Sequence, residues 1–578
     1  MARIAPKLVT CLREGYDARR FFRDLTSGMT VGVIALPLAM AFGIASLPES
    51  AVEELRAISP VLTPPAIGLF TAIVAGFIIS ALGGSRVQIG GPTGAFIVIV
   101  YRIAAEHGYA GLATATCMAG LILVVMGLAG FGGLIKFIPY PVTTGFTTGI
   151  AVVIATTQIK DLFGLLPVDE AGHPVSLPPD FVPKVQTLAA AWHSYELPTV
   201  AVGLTSLVVL FTMRRLVPRV PGAIIVTAAA AAAVYLFKIP TETIATRFGG
   251  IPRSLPFVNT HGFSLELAAE LIPEATTIAI LCAIESLLSA VVADGMTGYH
   301  HRSDTELVAQ GAANIAVSFL WGLPATGAIA RTVANIRSGA TSPISGIVHA
   351  LTLLAILLVA APLAKEIPLA ALSAVLMVVA WNMAELDHFR SILKSPTSDV
   401  VVLLTTFGLT VLTDLTVAVM VGMVLASFLF MRRMSDLTGV AVLGKLENGS
   451  EEEPADQPDL PPRVEAYEVY GPLFFGTADR VKDILDSIEK PPLVFILRMR
   501  HVLCIDATGL HAIEELYHKC KRSGTTLVLS GVHSQPVMAM TRAGLDQLIG
   551  RENMCGSIDE AVARARQIVE EAGEGSRG

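Results

Sequence analysis

Charged residues are scarce in this chain of 578 residues. They make up 15% of it and hydrophobic residues make up 53%, whereas about 25% of the residues in a typical soluble protein are charged. This shortage excludes an ordinary soluble protein for most of the chain. The formal net charge of −7 offers no basic surface of the kind that binds nucleic acid, so we expect no nucleic-acid partner.

Metal-binding and catalytic motifs are also missing. The six cysteines show no C-x-x-C pair and no other metal-ligand spacing, so we expect reduced or buried thiols and no metal site. No recognisable catalytic set is present, and we do not expect an enzyme. The cysteines are Cys11, Cys117, Cys282, Cys504, Cys520 and Cys555.

The charges that are present lie near the N-terminus and beyond about residue 430. This pattern predicts a cytoplasmic N-terminal segment (1–24), a transmembrane domain (25–433), a linker (434–462), a soluble domain (463–571) and a tail (572–578). The N-terminal arginines lie in a polar segment without a short apolar core, so we expect no secretory signal there.

Long hydrophobic runs fill the transmembrane domain. A spanning helix needs about 20 apolar residues, and about fourteen segments are candidates, seven in a first repeat (about 25–237) and seven in a second (267–431). An odd number per repeat makes the repeats inverted, and most basic loops then fall on the cytoplasmic side. The predicted spans are 25–46, 65–83, 91–104, 111–131, 139–160, 198–213, 220–237, 267–293, 306–321, 327–337, 342–362, 367–382, 398–413 and 415–431.

Two short Gly–Pro segments interrupt these runs at corresponding places in the two repeats. The first cassette is GPTGAF at 91–96, and the second is GLPATGA at 322–328, followed by Arg331. Interrupted helices in such positions are typical of a transporter's binding site. A half-helix that begins within the membrane directs unpaired N–H groups and a partial positive charge at its ligand, so we expect an anion site. Two kinked but otherwise ordinary helices are the alternative.

The soluble domain shows alternating strand and helix patterns, which predict a partly parallel sheet with crossover helices. The predicted strands are 464–470, 492–499 and 525–531, and the predicted helices are about 476–488, 508–522, 535–545 and 558–571.

Six short motifs of the chain form a recognisable set, and they lie at 24–32, 36–41, 283–289, 294–298, 327–335 and 506–509. They resemble motifs of the sulfate permease (SulP) family of anion transporters, and the resemblance covers nearly the whole chain. It implies a polytopic helical protein with a seven-plus-seven inverted repeat, divided into a core and a gate. It also implies an anion site between helices one, three, eight and ten, a homodimer and a C-terminal STAS domain, with 506–509 at the switch-like turn of that domain.

The sequence departs from the family's pattern at two positions near the expected site. Many members have Gln after the helix-one proline, where this chain has Leu38, and many have Ser before the helix-ten arginine, where it has Ala330. Both changes remove a side chain that can form hydrogen bonds.

The cassettes supply the candidate substrate-binding residues. Their backbone N–H groups would face the anion, and the small side chains would let it approach the backbone. Arg331 would attract the anion or brace its half-helix. Tight packing of helices, which small residues also serve, is the alternative. The candidates are Thr93, Gly94, Ala95, Phe96, Ala328, Ile329, Ala330 and Arg331.

Glu285 is a carboxylate within a predicted span, which marks it as a candidate functional group. We expect it to take up a proton as the anion binds, because a protonated Glu285 leaves the site positive. In the resembling family this position can belong to a sodium site, for which Glu285 and Ser289 would supply oxygen ligands. A structural carboxylate paired with Arg331 or a backbone N–H is the alternative. Apart from the coupling ion we expect no cofactor.

Thr508 follows Asp506 at a strand-to-helix turn of the soluble domain. In relatives of this fold a Ser or Thr here can be phosphorylated, which makes Thr508 a regulatory candidate. The simpler expectation is that Asp506 or Thr508 caps the helix.

Together these features predict a secondary active transporter of a small anion: sulfate, bicarbonate or a C4-dicarboxylate, with sulfate first because of the family's name. We expect proton symport by an elevator-like mechanism in the inner (cell) membrane, with the N-terminus and the STAS domain in the cytoplasm. Membrane lipid and a cytoplasmic protein that binds the STAS domain are further expected partners. Alternatives are a sodium-coupled bicarbonate symporter, a nucleobase permease of this architecture and an uncoupled anion channel.

Overall fold

The computed structural model describes residues 4–133, 139–168, 173, 175–217, 221–254, 257–259, 265–413, 415–437, 439–442, 459–474 and 491–574. It divides into two compact units, Met1–Val424 and Leu425–Gly578.

The described part of the first repeat is mainly helical and contains one two-residue strand, β1, at Gly90–Gly91. Its helices are α1 (Lys7–Arg13), α2 (Ala18–Ser46), α3 (Glu49–Ile58), α4 (Pro64–Leu82), α5 (Ile97–Leu128, preceded by a 3-10 turn at Gly94–Phe96), α6 (Tyr140–Phe163), α7 (Phe181–Ala190, followed by a 3-10 turn at Ala191–Ser194), α8 (Leu197–Leu216) and α9 (Gly222–Phe237).

The second half of the transmembrane domain begins with two short helices and contains the matching strand, β2, at Thr326–Gly327. Its helices are α10 (Ile244–Phe248), α11 (Leu265–Glu270), α12 (Ile272–Thr297), α13 (Ser303–Phe319), α14 (Ile329–Arg337), α15 (Ile344–Ala364), α16 (Leu369–Met383), α17 (Leu386–Ile392), α18 (Thr397–Leu412) and α19 (Leu415–Leu437).

Each predicted span coincides with helical structure, but two of them share one helix. The spans 91–104 and 111–131 are joined in α5, which is interrupted only at Gly108, where φ is 66°. Glycine adopts this left-handed conformation without strain. Among the described residues, eight helices are long and apolar enough to cross a membrane, and three shorter helices are also apolar.

The helices of this unit form two packing groups. We call α2, α4, α5, α12, α13, α14 and α15 the core group, and α6, α8, α16 and α18 the gate group, because the main helix contacts lie within each set. The groups meet mainly where α16 packs on α2. Both cassettes belong to the core group, so the expected division into core and gate is present.

The second unit contains a five-stranded sheet with order β3-β4-β5-β6-β7. Strand β3 pairs antiparallel with β4, and the other pairs are parallel. The strands are β3 (Gly439–Val442), β4 (Val464–Tyr470), β5 (Val494–His501), β6 (Thr526–Ser530) and β7 (Met554–Cys555), and the helices are α20 (Ala507–Arg522), α21 (Ser534–Ala543), α22 (Leu545–Ile549) and α23 (Ile558–Glu574), with a 3-10 turn at Arg551–Asn553.

Alternate residues of the central strands face opposite sides of this sheet. Phe495 and Leu497 of β5 belong to one apolar cluster, and Ile496 belongs to the other, with α23. The α/β prediction is therefore correct for the three predicted strands. Strand β3 lies within the segment predicted as a linker, and the predicted helix 476–488 lies outside the described residues.

Candidate functional site

The two cassettes meet in the interior of the core group. Strands β1 and β2 pair antiparallel, with Gly90 opposite Gly327 and Gly91 opposite Thr326. The N–H of Ala328 also donates to the carbonyl of Ile89 at 2.8 Å. Residues more than 230 positions apart are thus joined by backbone hydrogen bonds, and the chain is extended rather than helical at this point. The expected convergence of the cassettes is present.

A half-helix begins directly after each strand. Thr93 is extended, with φ −127° and ψ 160°, and the 3-10 turn Gly94–Phe96 then leads into α5. In the second cassette Ala328 is extended, and α14 begins at Ile329. The first N–H groups of a helix have no partner within the helix. Both half-helices therefore present backbone donors close to the β1–β2 pair.

Exposure separates the candidate residues within each cassette. Ala95 and Phe96 are 0% and 2% exposed, so their side chains pack in the interior. Thr93 is partly exposed. Ile329 is 41% exposed, so the first turn of α14 faces open space, whereas the side chains of the first half-helix are covered.

Glu285 lies on α12 and contacts the first cassette. The hydroxyl of Thr93 donates to its Oε2 at 2.9 Å. The carboxylate is partly buried, and in the described part of the chain it forms no ion pair with Arg331, whose guanidinium donates to Pro92 instead. The alternative in which Arg331 pairs with Glu285 is therefore not what the structure contains.

Arg331 instead braces the first cassette. Its side chain is 4% exposed, and Nη2 donates to the carbonyl of Pro92. Gly91 has a φ of 148°, and a side chain there would collide with the guanidinium. Nη1 is buried and has no hydrogen-bond partner among the described residues, so one donor of this cation remains unused.

Ser289 lies one turn after Glu285 but contacts a different group. Its hydroxyl donates to Oγ1 of Thr332 at 3.1 Å, and the N–H of Ile89 donates to the same Thr332 oxygen at 3.1 Å. Ser289 is 0% exposed. This arrangement ties α12 to α14 and to β1.

Apolar side chains from both helix groups pack against the first half-helix, from α2 of the core group and from α6 and α16 of the gate group. A methyl group placed on Gly94 would lie 3.0 Å from Sδ of Met383, 3.5 Å from Cδ1 of Ile154 and 3.6 Å from Cε1 of Phe42. Leu38 lies one turn before Phe42 on α2, so both lie on the same face, and it packs with Ala374, Val375 and other apolar residues. We call Leu38, Phe42, Ile154 and Met383 the apolar wall.

Several polar residues that support the cassettes were not among the predicted site residues. Glu306 is 0% exposed and accepts hydrogen bonds from the N–H of Gly84 at 2.8 Å and from Nε2 of Gln310 at 2.9 Å. Oδ1 of Asn314 accepts from the N–H of Ala325 at 2.9 Å, and Nδ2 of Asn314 donates to the carbonyl of Ala325 at 2.8 Å. An acidic residue at the start of an apolar span was the available signal for Glu306.

Asp24 anchors the start of α2 in a similar way. It is 0% exposed and accepts hydrogen bonds from the hydroxyls of Tyr16 at 2.8 Å and Ser342 at 2.5 Å, and from the N–H of Thr341 at 2.5 Å. Burial and the bond to Asp24 raise the pKa of Tyr16. In the sequence analysis Asp24 appears only as the first residue of the motif at 24–32.

An ion-pair network joins the end of α6 to α3 and α10. Lys160 Nζ lies 3.1 Å from Oε1 of Glu49, and Arg247 lies 3.1 Å from the same oxygen and 2.8 Å from Oδ1 of Asp161. Burial opposes ionisation of Glu49, but the charges of Lys160 and Arg247 outweigh it and lower the pKa of Glu49.

In the second unit the strand-to-helix turn has a simple cap. Oδ1 of Asp506 accepts from the N–H of Gly509 at 2.8 Å at the start of α20. Thr508 is exposed in the first turn. Asp506 is therefore the cap, and the hydroxyl of Thr508 is accessible.

The interrupted helices that meet within a two-group helical bundle define a multi-pass membrane transporter. The chain matches the family model described as "Sulfate permease family" over residues 21–406 and the model "STAS domain" over residues 459–561. It therefore belongs to the sulfate permease family and has a C-terminal STAS domain. It is a transporter of anions rather than an enzyme, and the predicted fold class is confirmed.

Two relatives differ in the substrate that they are named for. The "Putative sulfate transporter YvdB" of Bacillus subtilis is 39% identical over 549 residues, covering 95% of this chain and 98% of the relative. The "Bicarbonate transporter BicA" of Picosynechococcus sp. is 28% identical over 473 residues, covering 79% of each.

Two solved structures share the fold. The murine Solute Carrier 26 family member A9 anion transporter in the inward-facing state has a TM-score of 0.83 at 18% identity, covering 98% of this chain and 94% of its own. The transmembrane domain of a cyanobacterial bicarbonate transporter, BicA, has a TM-score of 0.59 at 27% identity, covering 70% of this chain and 98% of its own.

Proposed function

We propose that the protein is a secondary active symporter that moves a small anion together with a proton carried on Glu285. The cassettes, with Arg331, form the anion site. The protein lies in the cell (inner) membrane with its N-terminus and STAS domain in the cytoplasm. Sulfate and bicarbonate are the leading substrates, because the relatives are named for them.

The hydrogen bond between Thr93 and Glu285 is the observation that carries this proposal. It places a carboxylate beside the N-terminus of a half-helix, where backbone N–H groups and the helix dipole favour an anion. An ionised Glu285 competes with the substrate for this field, because like charges repel strongly where water is excluded. A proton on Glu285 removes the competition, so anion binding and proton binding favour each other.

The division of the helices supports an elevator-like movement. All the proposed site residues lie on elements of the core group, and the residues that cover the first half-helix from α6 and α16 belong to the gate group. A shift of the core group along the gate group would carry the whole site, with its internal hydrogen bonds intact, from one side of the membrane to the other.

The test is anion uptake into proteoliposomes under an imposed pH gradient. The wild-type protein should accumulate the anion above its equilibrium level, and Glu285→Gln should bring it only to equilibrium, because Gln cannot exchange a proton. The matched control is Glu270→Gln, on the exposed side of α11, which should accumulate the anion normally. Unchanged gradient-driven accumulation by Glu285→Gln would exclude the proton-coupling role.

A sodium gradient applied in the same vesicles tests the other coupling ion. Sodium-driven accumulation that disappears in Ser289→Ala would favour the sodium site. We favour the proton, because Ser289 forms its hydrogen bond with Thr332 on α14 and not with Glu285, whereas Glu285 lies beside the first cassette and accepts from Thr93.

A further inference from the structure

The hydrogen-bond donors that the described residues offer the proposed anion site come from the two cassettes and Arg331. The core group supplies backbone N–H groups from the two half-helices, but its side chains add little. The hydroxyl of Thr93 is directed at Glu285, Nη2 of Arg331 is directed at Pro92, and position 330 is alanine. An anion here would therefore rely on main-chain donors and the remaining nitrogen of Arg331.

The apolar wall packs against the first of these half-helices. Met383, Ile154 and Phe42 approach the first half-helix closely enough to touch a methyl group at Gly94. None of these side chains, nor Leu38, can donate a strong hydrogen bond. A substrate in contact with this wall must give up water on that side without replacement, and burying a charge without a partner is costly.

This cost depends steeply on the charge of the substrate. The Born energy of removing an ion from water grows with the square of its charge. Sulfate, a tetrahedral dianion, would direct at least one charged oxygen towards carbon atoms. A singly charged, weakly hydrated anion such as bicarbonate or nitrate loses far less on the same surface.

We infer that the site selects a singly charged anion over sulfate, and that Leu38 and Met383 on the apolar wall set this selectivity. The inference rests on the proposed anion site but concerns the class of substrate. It runs against the substrate in the name of the relative that is 39% identical.

The experiment compares uptake of labelled bicarbonate and labelled sulfate by the full chain in proteoliposomes, at pH 8 and matched ionic strength. For the wild-type protein we expect nitrate to inhibit bicarbonate uptake at a concentration at least tenfold lower than sulfate does. Equal or stronger inhibition by sulfate, or faster uptake of sulfate, overturns the inference. Uptake of neither anion overturns the proposed function itself.

Two variants test the wall residues. Leu38→Gln and Met383→Gln each add a donor, and one hydrogen bond should move the sulfate-to-nitrate inhibition ratio towards sulfate by about twofold to tenfold. Met383→Leu keeps the wall apolar, and Leu166→Gln adds the same side chain at an exposed position that is 53% accessible; both should keep the wild-type ratio. An unchanged ratio in both glutamine variants overturns the role of the wall.

A measurement on the wild-type protein alone does not depend on whether the variants fold. Anions that bind the folded protein raise its unfolding temperature by mass action. Nitrate or bicarbonate should stabilise the purified protein at lower concentrations than sulfate, with choline gluconate used to match ionic strength because gluconate is a large, strongly hydrated anion. Stronger stabilisation by sulfate at low millimolar concentration contradicts the inference.

Discussion

The hydroxyl of Thr93 donates a hydrogen bond of 2.9 Å to Oε2 of Glu285, across 192 positions of the chain. The contact joins the first cassette to the helix that carries the proposed coupling carboxylate. A bound anion and the proton on Glu285 can therefore affect each other through the hydroxyl group of Thr93. This relationship and four others lead to testable predictions.

Removal of the Thr93 hydroxyl should impair transport, although Val and Thr have nearly the same size, because the hydrogen bond to Glu285 is lost. Hydrogen bonds to charged groups contribute about 1.5–3 kcal/mol, so we expect Thr93→Val to lower proton-driven uptake by about tenfold. Thr93→Ser keeps the donor and should remain within about twofold of the wild type. Initial uptake rates in proteoliposomes provide the measurement, and equal rates for the two variants would show that the hydroxyl is not used.

Arg331 should not be replaceable by lysine. The guanidinium reaches the carbonyl of Pro92 with one nitrogen and keeps another free, whereas an ammonium is a compact point charge. We expect Arg331→Lys to lower uptake at least tenfold and to reduce the unfolding temperature. Arg337→Lys, at the last turn of the same helix, is the control. Full activity of Arg331→Lys would mean that charge alone is sufficient.

Asp24→Asn should destabilise the membrane unit. An asparagine side chain cannot accept on its nitrogen, so some of the buried donors from Tyr16, Thr341 and Ser342 lose their acceptor. Each unsatisfied group costs about 1–3 kcal/mol, and we expect a loss of about 3 kcal/mol. Thermal unfolding in detergent measures it. Asp17→Asn is the control, because Asn also caps the start of α2.

The network around Glu49 should make stability depend on acid pH. Burial opposes ionisation, but Lys160 and Arg247 hold the pKa of Glu49 below its usual 4.5. A depressed folded-state pKa contributes stability above the unfolded pKa, and this contribution is lost as the pH falls through the lower value. The unfolding temperature should fall as the pH is lowered from 5 to 3.5, and Glu49→Gln should fall less. Parallel curves would contradict this assignment.

Mutations should distinguish Asp506, which caps α20, from Thr508, the regulatory candidate beside it. Asp506→Ala removes the hydrogen bond to Gly509 and should cost about 1 kcal/mol. Thr508→Ala should change stability little, because Thr508 is exposed. Hydrogen exchange of residues 507–522 in the full chain measures both. Faster exchange in Thr508→Ala than in Asp506→Ala would show that Thr508 is the capping residue. Phosphorylation of Thr508 stays a prediction.

The candidate site could be predicted in part because its signals are local. Pro92 and Pro324 cannot continue a helix hydrogen-bond ladder, and the adjoining glycines permit close approach of the chain. Glu285 was conspicuous because a carboxylate within an apolar run is costly. The partners were not predictable: Ser289 was named only as a ligand of the alternative sodium site, and its hydrogen bond to Thr332 is visible only in the tertiary structure.

Hydrophobic length, broken helices and charge distribution by themselves determined the helical membrane unit, the cassettes and the α/β domain, because each depends on residues that are close in sequence. Only the tertiary structure decided that Arg331 contacts Pro92 rather than Glu285, that Asp24 is saturated by buried donors, and that an apolar wall faces the first half-helix. The reason is physical: a buried polar group must find a partner nearby, and what lies nearby is set by the packing of segments hundreds of positions apart.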